Sequence, residues 1–430
     1  MSFLRPRDSE LYPLRHGLYF AFFNALNWQV GAGAPTVLLM EQLGADSFQV
    51  GLVYAWAFLL TPVQVLATVF LPRLGFKRLT LAGWGARGWF LLVPLGLTVL
   101  APRSPSAWMI YAMVTAMAGY SFSRSFGNAA IANWFYVLVP SEIRGRYWST
   151  DQLMGATAAV GSLLLSAGLF SVLPAYPAFA VQYAIAIVGA TLACRSLARL
   201  PDVGRPGTLT LGFIATETRR LLLAPSAFRT YLAMAVLLFV TTTPMLPFGV
   251  YYLKATAGVS SSRIMIFTML YYLGVVGACL GMRSRMDQLG SRPFFRICFA
   301  TYGVVAVGWL AVLTTGWAAA QVLPALFLLM GLAFGCWTSA NLHYLAEILP
   351  EDDRTLPLSI HGAVIAFCGG VSPVIWGVFL KGRGTEPSVS VPVFGGFFCV
   401  VIASSALLYA LTGWLVRSTP ASAVPGEAPR

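Results

Sequence analysis

Apolar runs long enough to cross a bilayer recur along this chain almost without interruption, and few folds can accommodate them. Twelve can be read, over residues 15 to 39, 48 to 71, 79 to 101, 106 to 139, 147 to 173 and 177 to 199, then 229 to 253, 261 to 283, 293 to 315, 317 to 348, 356 to 380 and 391 to 416. Each provides the roughly 20 residues that a transmembrane helix needs. Hydrocarbon offers no partner to a free backbone group, so each run is predicted to be a helix, whereas a barrel would show short alternating strands. With 58% hydrophobic and 10% charged residues, no segment remains for a sizeable soluble domain. The fold class expected is an all-α membrane protein of twelve transmembrane helices.

The first run follows a charged start, "RPRDSELYPLRHG", that superficially suggests a secretion signal. The run is too long for that and contains Asn24, Asn27 and Gln29, so a retained helix is predicted. All six cysteines, Cys194, Cys279, Cys298, Cys336, Cys368 and Cys399, fall within or at the end of spans, which argues against a disulfide framework or a metal site. The net charge of +13 reflects an excess of Lys and Arg on cytoplasmic loops rather than nucleic-acid binding. With the N-terminus inside, only Arg103, Lys254, Arg263, Lys381 and Arg383 fall outside, and Arg87 and Arg124 lie within helices. Both termini are therefore expected in the cytoplasm, in a multi-pass protein of a plasma or bacterial inner membrane.

The longest polar stretch, "ARLPDVGRPGTLTLGFIATETRRLLLAPSAFR", divides the chain into an N-terminal half (1 to 199), a linker (200 to 228), a C-terminal half (229 to 416) and a tail (417 to 430). Its "FIATETRRLLL" portion has the character of a short amphipathic helix lying along a membrane surface. The halves repeat one another. "PRLGFKR" (Pro72 to Arg78) after the second span matches "DQLGSRP" (Asp287 to Pro293) after the eighth, and "PSEIRGR" (Pro140 to Arg146) after the fourth matches "PEDDR" (Pro350 to Arg354) after the tenth. Parallel six-helix repeats mark one transporter architecture.

At these motifs the chain resembles the major facilitator superfamily over nearly its whole length. "GMRSRMDQLGSRP" (Gly281 to Pro293) looks like the family's signature loop, "LVPSEIRGRYWS" (Leu138 to Ser149) is similar to its segment after the fourth helix, and "LGADSFQVG" (Leu43 to Gly51) looks like its first extracellular loop. The resemblance implies gating roles for Asp287, Gly290 and Arg292 and for Glu142, Arg144 and Arg146, with Asp287 latching the cytoplasmic side through Arg285 and Arg292. In the first-half loop Pro72 occupies the acid position.

Arg124 is the residue that most needs explaining. In "AGYSFSRSFGNAA" it lies about 25 Å along the fourth helix from either end, too deep to reach a surface. Charges at that depth usually face a bundle interior or a water-filled cavity. Three roles fit: a guanidinium fork for an anionic solute, tuning of a proton-coupling site, or a structural bridge to backbone carbonyls and Asn128. The stretch also looks like the family's fourth-helix arginine motif, which the resemblance links to proton coupling, with Gly127 one place early. Arg87 in "GWGARGWF", about 12 Å from the cytoplasmic end of the third helix, is read as snorkelling to that surface.

The resemblance implies that helices one, four, seven and ten line a central cavity. The substrate-binding candidates are therefore Asn24, Asn27 and Trp28 on the first, Arg124 and Asn128 on the fourth, and Trp337, Asn341 and Tyr344 on the tenth. "GAGAPT", with Pro35, and "TTTPMLP", with Pro247, weaken the first and seventh helices toward their outer ends, as gating segments would. His343 and Glu347, four apart, and Asp151 are the candidates for proton coupling. No metal-ligand spacing, phosphate-cradling glycine loop or nucleophile with its base is present in the sequence, so no enzyme, metal or cofactor is expected.

The function expected is secondary transport of a small organic solute, anionic in its most concrete version, by alternating access of the two halves. A coupling ion and the lipid bilayer are the other expected partners, nucleic acid is not, and a monomer is expected. Efflux of amphipathic compounds is the rival, disfavoured because "GATAAVGSLLLSAG" in the fifth helix has no proline. A non-transporting membrane receptor or assembly factor is the alternative from another class.

Overall fold

The computed structural model describes residues 11 to 415 apart from 32, 46, 103–105, 206–209, 254–256, 260, 283–284, 316–320, 350–353 and 382–386. In the first half lie α1 (Arg15–Gly31), α2 (Ala34–Gln42), α3 (Ser47–Leu59), α4 (Val63–Ala67), α5 (Leu71–Phe90), α6 (Leu92–Leu100), α7 (Trp108–Leu138), α8 (Arg144–Val172) and α9 (Ala175–Ala198). The linker forms α10 (Leu211–Leu223). The second half contains α11 (Ala227–Thr242), α12 (Met245–Tyr251), α13 (Ser261–Met282), α14 (Met286–Leu289), α15 (Arg292–Thr315), α16 (Leu323–Ile348), α17 (Thr355–Lys381) and α18 (Pro387–Leu411). Among the described residues, eight helical stretches are long and apolar enough to cross a membrane, and one of them, Leu52–Leu100, has 49 residues, enough for two crossings.

Several spans are two helices in line, and the breaks have local causes. Between α1 and α2 the chain passes through an extended Gly33, and Pro35, lacking an N–H, sits in the first turn of α2. Pro62 precedes α4 and Pro244 precedes α12 in the same way. The first and seventh spans are thus both interrupted where "GAGAPT" and "TTTPMLP" lie.

The repeat seen in the sequence recurs in the backbone. Gly75 (φ 74°, ψ 169°) and Gly290 (φ 69°, ψ −175°), the glycines of the two Leu-Gly pairs, share one conformation that residues with a Cβ avoid. Arg144 donates from Nε to the Val139 carbonyl at 3.1 Å and from Nη2 to that of Tyr136 at 2.9 Å, closing the end of α7. Arg354 does the same for α16, with Nε on Leu349 at 3.1 Å and Nη2 on Ala346 at 3.0 Å. Each arginine reaches back five and eight residues and satisfies carbonyls that the helix end leaves free.

Within the first half α5 packs on α7, and α1 packs on α8 and α9; within the second, α13 and α15 pack on α16, α15 on α18 and α11 on α17. Lipid is as apolar as leucine, so close backbone approach stands in for a hydrophobic drive. A Cβ at Gly83 would strike the backbone of Gly127, and one at Gly331 the carbonyl of Tyr271. The halves meet where α8 packs on α13 and α16, and where α3, α4 and α7 pack on α17. The linker helix touches both: Ile214 is buried with Leu356 and Ile360 of α17, against Val65 and Val69 of the second span.

Candidate functional site

The intramembrane arginine meets a consistent set of neighbours. Arg124 Nη2 donates to the Ala57 carbonyl of α3 at 2.9 Å, and its guanidinium carbon lies 4.4 Å from the centre of the Trp28 ring on α1. A charged hydrogen bond contributes about 1.5–3 kcal/mol and a desolvated cation–π contact about 2 kcal/mol. Together they offset the roughly 2.5–3.5 kcal/mol that an arginine costs at a membrane helix centre. Its Nε remains buried with no partner. Asn128, one turn on, is half-buried and makes no side-chain hydrogen bond among the described residues, so the bridge from Arg124 runs to a carbonyl and not to Asn128.

Asn24 and Asn27 are occupied by neighbours that the sequence did not point to. Asn27 is fully buried, donates from Nδ2 to the Ala186 carbonyl of α9 at 3.0 Å, and accepts from the Tyr120 hydroxyl at 2.6 Å. Asn24 Oδ1 accepts from Arg87 Nη2 at 2.7 Å. The reading of Arg87 as a snorkelling side chain is overturned: it is 0% exposed, with its guanidinium carbon 4.1 Å from the Trp84 ring centre and 5.7 Å from that of Tyr120. α5 is kinked at Gly75, so Arg87 lies about 17 Å along the helix beyond the kink, and its side chain turns inward onto Asn24 and Trp84.

Asn24→Ala is expected to strip Arg87 of its single described hydrogen-bond partner and to destabilise the fold by about 1–3 kcal/mol. A lower apparent Tm of the detergent-purified variant measures this, and an unchanged Tm contradicts it.

A narrow cleft adjoins these side chains, lined by Gly31, Gly33 and Thr36 at the break in the first span, by Tyr54 and Ala57 of α3, and by Tyr120 and Ser121 of α7. Ala57 and Tyr120 therefore belong both to the cleft and to the surroundings of the arginines. α2 begins at this cleft.

The tenth-span candidates sit elsewhere. Trp337 and Tyr344 are 2% and 1% exposed and pack on Tyr231 of α11 and Phe295 of α15, with ring centres 5.9 and 4.7 Å from Tyr231 and 5.4 and 5.8 Å from Phe295. Asn341 Oδ1 accepts from the Tyr231 hydroxyl at 2.6 Å. Their shared helical face turns into the aromatic core of the second half. Tyr231 also stacks on His361, and neither residue was among the candidates.

Of the proton-coupling candidates, His343 and Glu347 pair at 2.7 Å through Nδ1, which Ser291 Oγ also approaches at 3.0 Å. Asp151 is half-buried on α8, near Cys279 of α13. Among the gating candidates, Glu142 is exposed and accepts from Ser141 Oγ at 2.8 Å, and Arg146 lies in the first turn of α8. Arg292 donates to the carbonyls of Gly413 and Leu415, tying α15 to the end of the last span. The Asp287 side chain lies outside the described residues, as do Pro350 to Asp353 of the second loop pair.

Hydrogen bonds also cross between the halves. Gln29 of α1 lies beside Tyr272 of α13. Toward the ends of these spans, Gln64 Nε2 donates to Ser359 at 2.7 Å, Thr61 to Ala363 at 3.3 Å, Asn133 to Thr355 at 3.3 Å and the Tyr136 hydroxyl to Leu342 at 2.7 Å, all onto backbone carbonyls of α16 or α17. Tyr136 is 3% exposed, and the capping arginines of both halves, Arg144 and Arg354, lie 5.8 Å from its ring centre.

No protein family matches the chain by sequence, and no curated protein does. Solved structures do match. The proton:xylose symporter XylE, described as a major facilitator superfamily protein, aligns over 94% of this chain and 96% of its own at a TM-score of 0.70 and 14% identity. A bacterial homologue of the iron transporter ferroportin, in an outward-facing state, aligns over 94% and 98% at a TM-score of 0.70 and 14% identity. The E. coli fucose:proton symporter aligns over 92% and 98% at 0.64 and 11%. At such identities the likeness is one of fold.

Proposed function

Starting from the twelve-helix major facilitator fold that this chain shares with those structures, we propose that it is a secondary transporter of a small anionic solute, with the binding site at Arg124. The observation that carries this reading is the Arg124 guanidinium itself. It lies beside the cleft on the Trp28 face, with a buried, unpartnered Nε and no carboxylate partner among the described residues. The likeness to a ferroportin homologue does not extend to a cation here, because the nearest fixed charges are guanidiniums.

Asn128 and Ser121 flank Arg124 on α7 and supply hydrogen bonds to the solute's neutral groups, and Trp28 packs its apolar part. A thermal-shift screen of the purified protein against matched anionic, neutral and cationic metabolites tests the reading, since a ligand of the folded state raises apparent stability. Stabilisation by anions of the wild type and not of Arg124→Ala is the expected result. Equal stabilisation of both by neutral or cationic compounds contradicts it.

The two halves exchange access to this site by rocking, and the contacts around Tyr136 hold the cytoplasmic side shut. Tyr136→Phe removes one hydrogen bond between the halves, worth about 0.5–1.5 kcal/mol, and so shifts the population toward the cytoplasm-open state about 2- to 13-fold. Distances between spin labels on the cytoplasmic ends of α7 and α16 read this shift. An unaltered distribution counts against the latch.

A further inference from the structure

Arg124 is not alone in its site. Arg87 of α5 and Arg124 of α7 both lie against one stripe of α1, Arg87 bonded to Asn24 and Arg124 stacked on Trp28 one turn further along. Both flank Tyr120: Arg87 lies 5.7 Å from its ring centre, and Arg124 follows one turn later on the same helix. The two cations repel each other, and among the described residues neither has a carboxylate partner. Three buried nitrogens are left unpartnered, Nε and Nη1 of Arg87 and Nε of Arg124. Buried donors of this kind call for an occupant that supplies acceptors.

Tyr120 connects the pair to the cleft. It lines the cleft, its ring stands against Arg87, and its hydroxyl is held by Asn27. A single negative charge would pair one guanidinium and leave the other uncompensated at membrane depth, where an unpaired charge is costly. Two negative charges neutralise the site and fill the open forks, which match carboxylate and phosphate oxygens. We infer that the solute carries two negative charges, as a dicarboxylate or a phosphate monoester does, with Arg124 holding one and Arg87 answering the second. This inference rests on the assignment of Arg124 as the anion's partner. It adds a charge number and a second cation.

Pairs of probes that differ in charge and not in shape test it: succinate against its monoamide succinamate, and methyl phosphate against methyl sulfate. Thermal-shift titrations of the full chain at pH 7.5 give the affinities. The expected result is that the doubly charged member of at least one pair binds at least about tenfold more tightly, the effect of one added charged hydrogen bond. Whether succinate or methyl phosphate gains more tells the carboxylate from the phosphate source.

For methyl phosphate the preference should shrink on acidification to pH 5, as the second phosphate ionisation near pH 6 is reversed, with methyl sulfate unchanged. Arg87→Gln should bring each pair to within about threefold, whereas Arg124→Gln should weaken binding of all four probes about 10- to 150-fold. Where Arg87→Gln does not fold, the wild-type ratio and its pH dependence decide. Equal binding within both pairs in the wild type overturns the charge number and leaves the role of Arg124 standing. No binding of any of the four, with neutral or cationic metabolites stabilising instead, overturns both.

Discussion

Arg124→Gln is expected to weaken anion binding about 10- to 150-fold and to reduce transport in proportion. The substituted amide keeps a donor for the Ala57 carbonyl and loses the charge, so the change isolates the electrostatic part of the contact. A hydrogen bond from a charged donor contributes about 1.5–3 kcal/mol, and each 1.4 kcal/mol is a factor of ten. The fold should survive the change. Insertion of Arg124 costs about as much as its carbonyl and Trp28 contacts return, and removing a half-buried cation from the membrane midplane removes that cost too. Binding titrations with the variant, and its Tm without ligand, separate the two effects. A variant that binds anions as the wild type does, or that fails to fold, contradicts this account.

Gly331→Leu is expected to be the most destabilising single change outside the site, by about 3 kcal/mol or more. α13 and α16 form one of the closest crossings in the second half, and a Cβ at Gly331 would meet the Tyr271 carbonyl oxygen and carbon, which are backbone and unable to rotate away. Gly274 faces Leu328 and Leu332 across the same crossing in the same way, so the crossing has no slack on either helix. Overpacking typically costs about 1–3 kcal/mol and more where backbone must separate. In a membrane the loss of close packing has no hydrophobic term to replace it. Gly277→Leu, on a glycine whose Cβ meets nothing within 4 Å, is the control and should be nearly silent. Loss of monodisperse protein in detergent for Gly331→Leu alone is the expected outcome, and equal behaviour of the two variants contradicts it.

How far the site could be read from the sequence depended on the physical signal each residue carried. Arg124 stood out because a charge in a long apolar run must be compensated by something the helix's own sequence does not show. Arg87 departs from the snorkelling reading because its side chain turns inward onto Asn24 and Trp84, and the sequence of one helix does not say which of its faces meets a polar neighbour. Tyr120 carried a signal that was passed over, since it lies one turn before Arg124 and shares its face.

The face of Trp337, Asn341 and Tyr344 was visible as a helical stripe, but periodicity does not say which neighbour a stripe meets. The structure turns it toward Tyr231 and Phe295. The repeat was the most legible feature, because each motif has a local job: a glycine that must be left-handed in the Leu-Gly pairs, and an arginine that must reach back to a helix end at Arg144 and Arg354.

The central claim is that this chain carries an anion across the membrane through the site at Arg124. Counterflow in proteoliposomes tests it most directly: vesicles loaded with unlabelled succinate, or with unlabelled methyl phosphate, are diluted into a trace of the same labelled compound. The account predicts transient accumulation of at least one of the two by the wild type and accumulation at least about tenfold slower by Arg124→Gln reconstituted at equal density. No accumulation of either anion by the wild type, or equal accumulation by Arg124→Gln, would contradict it.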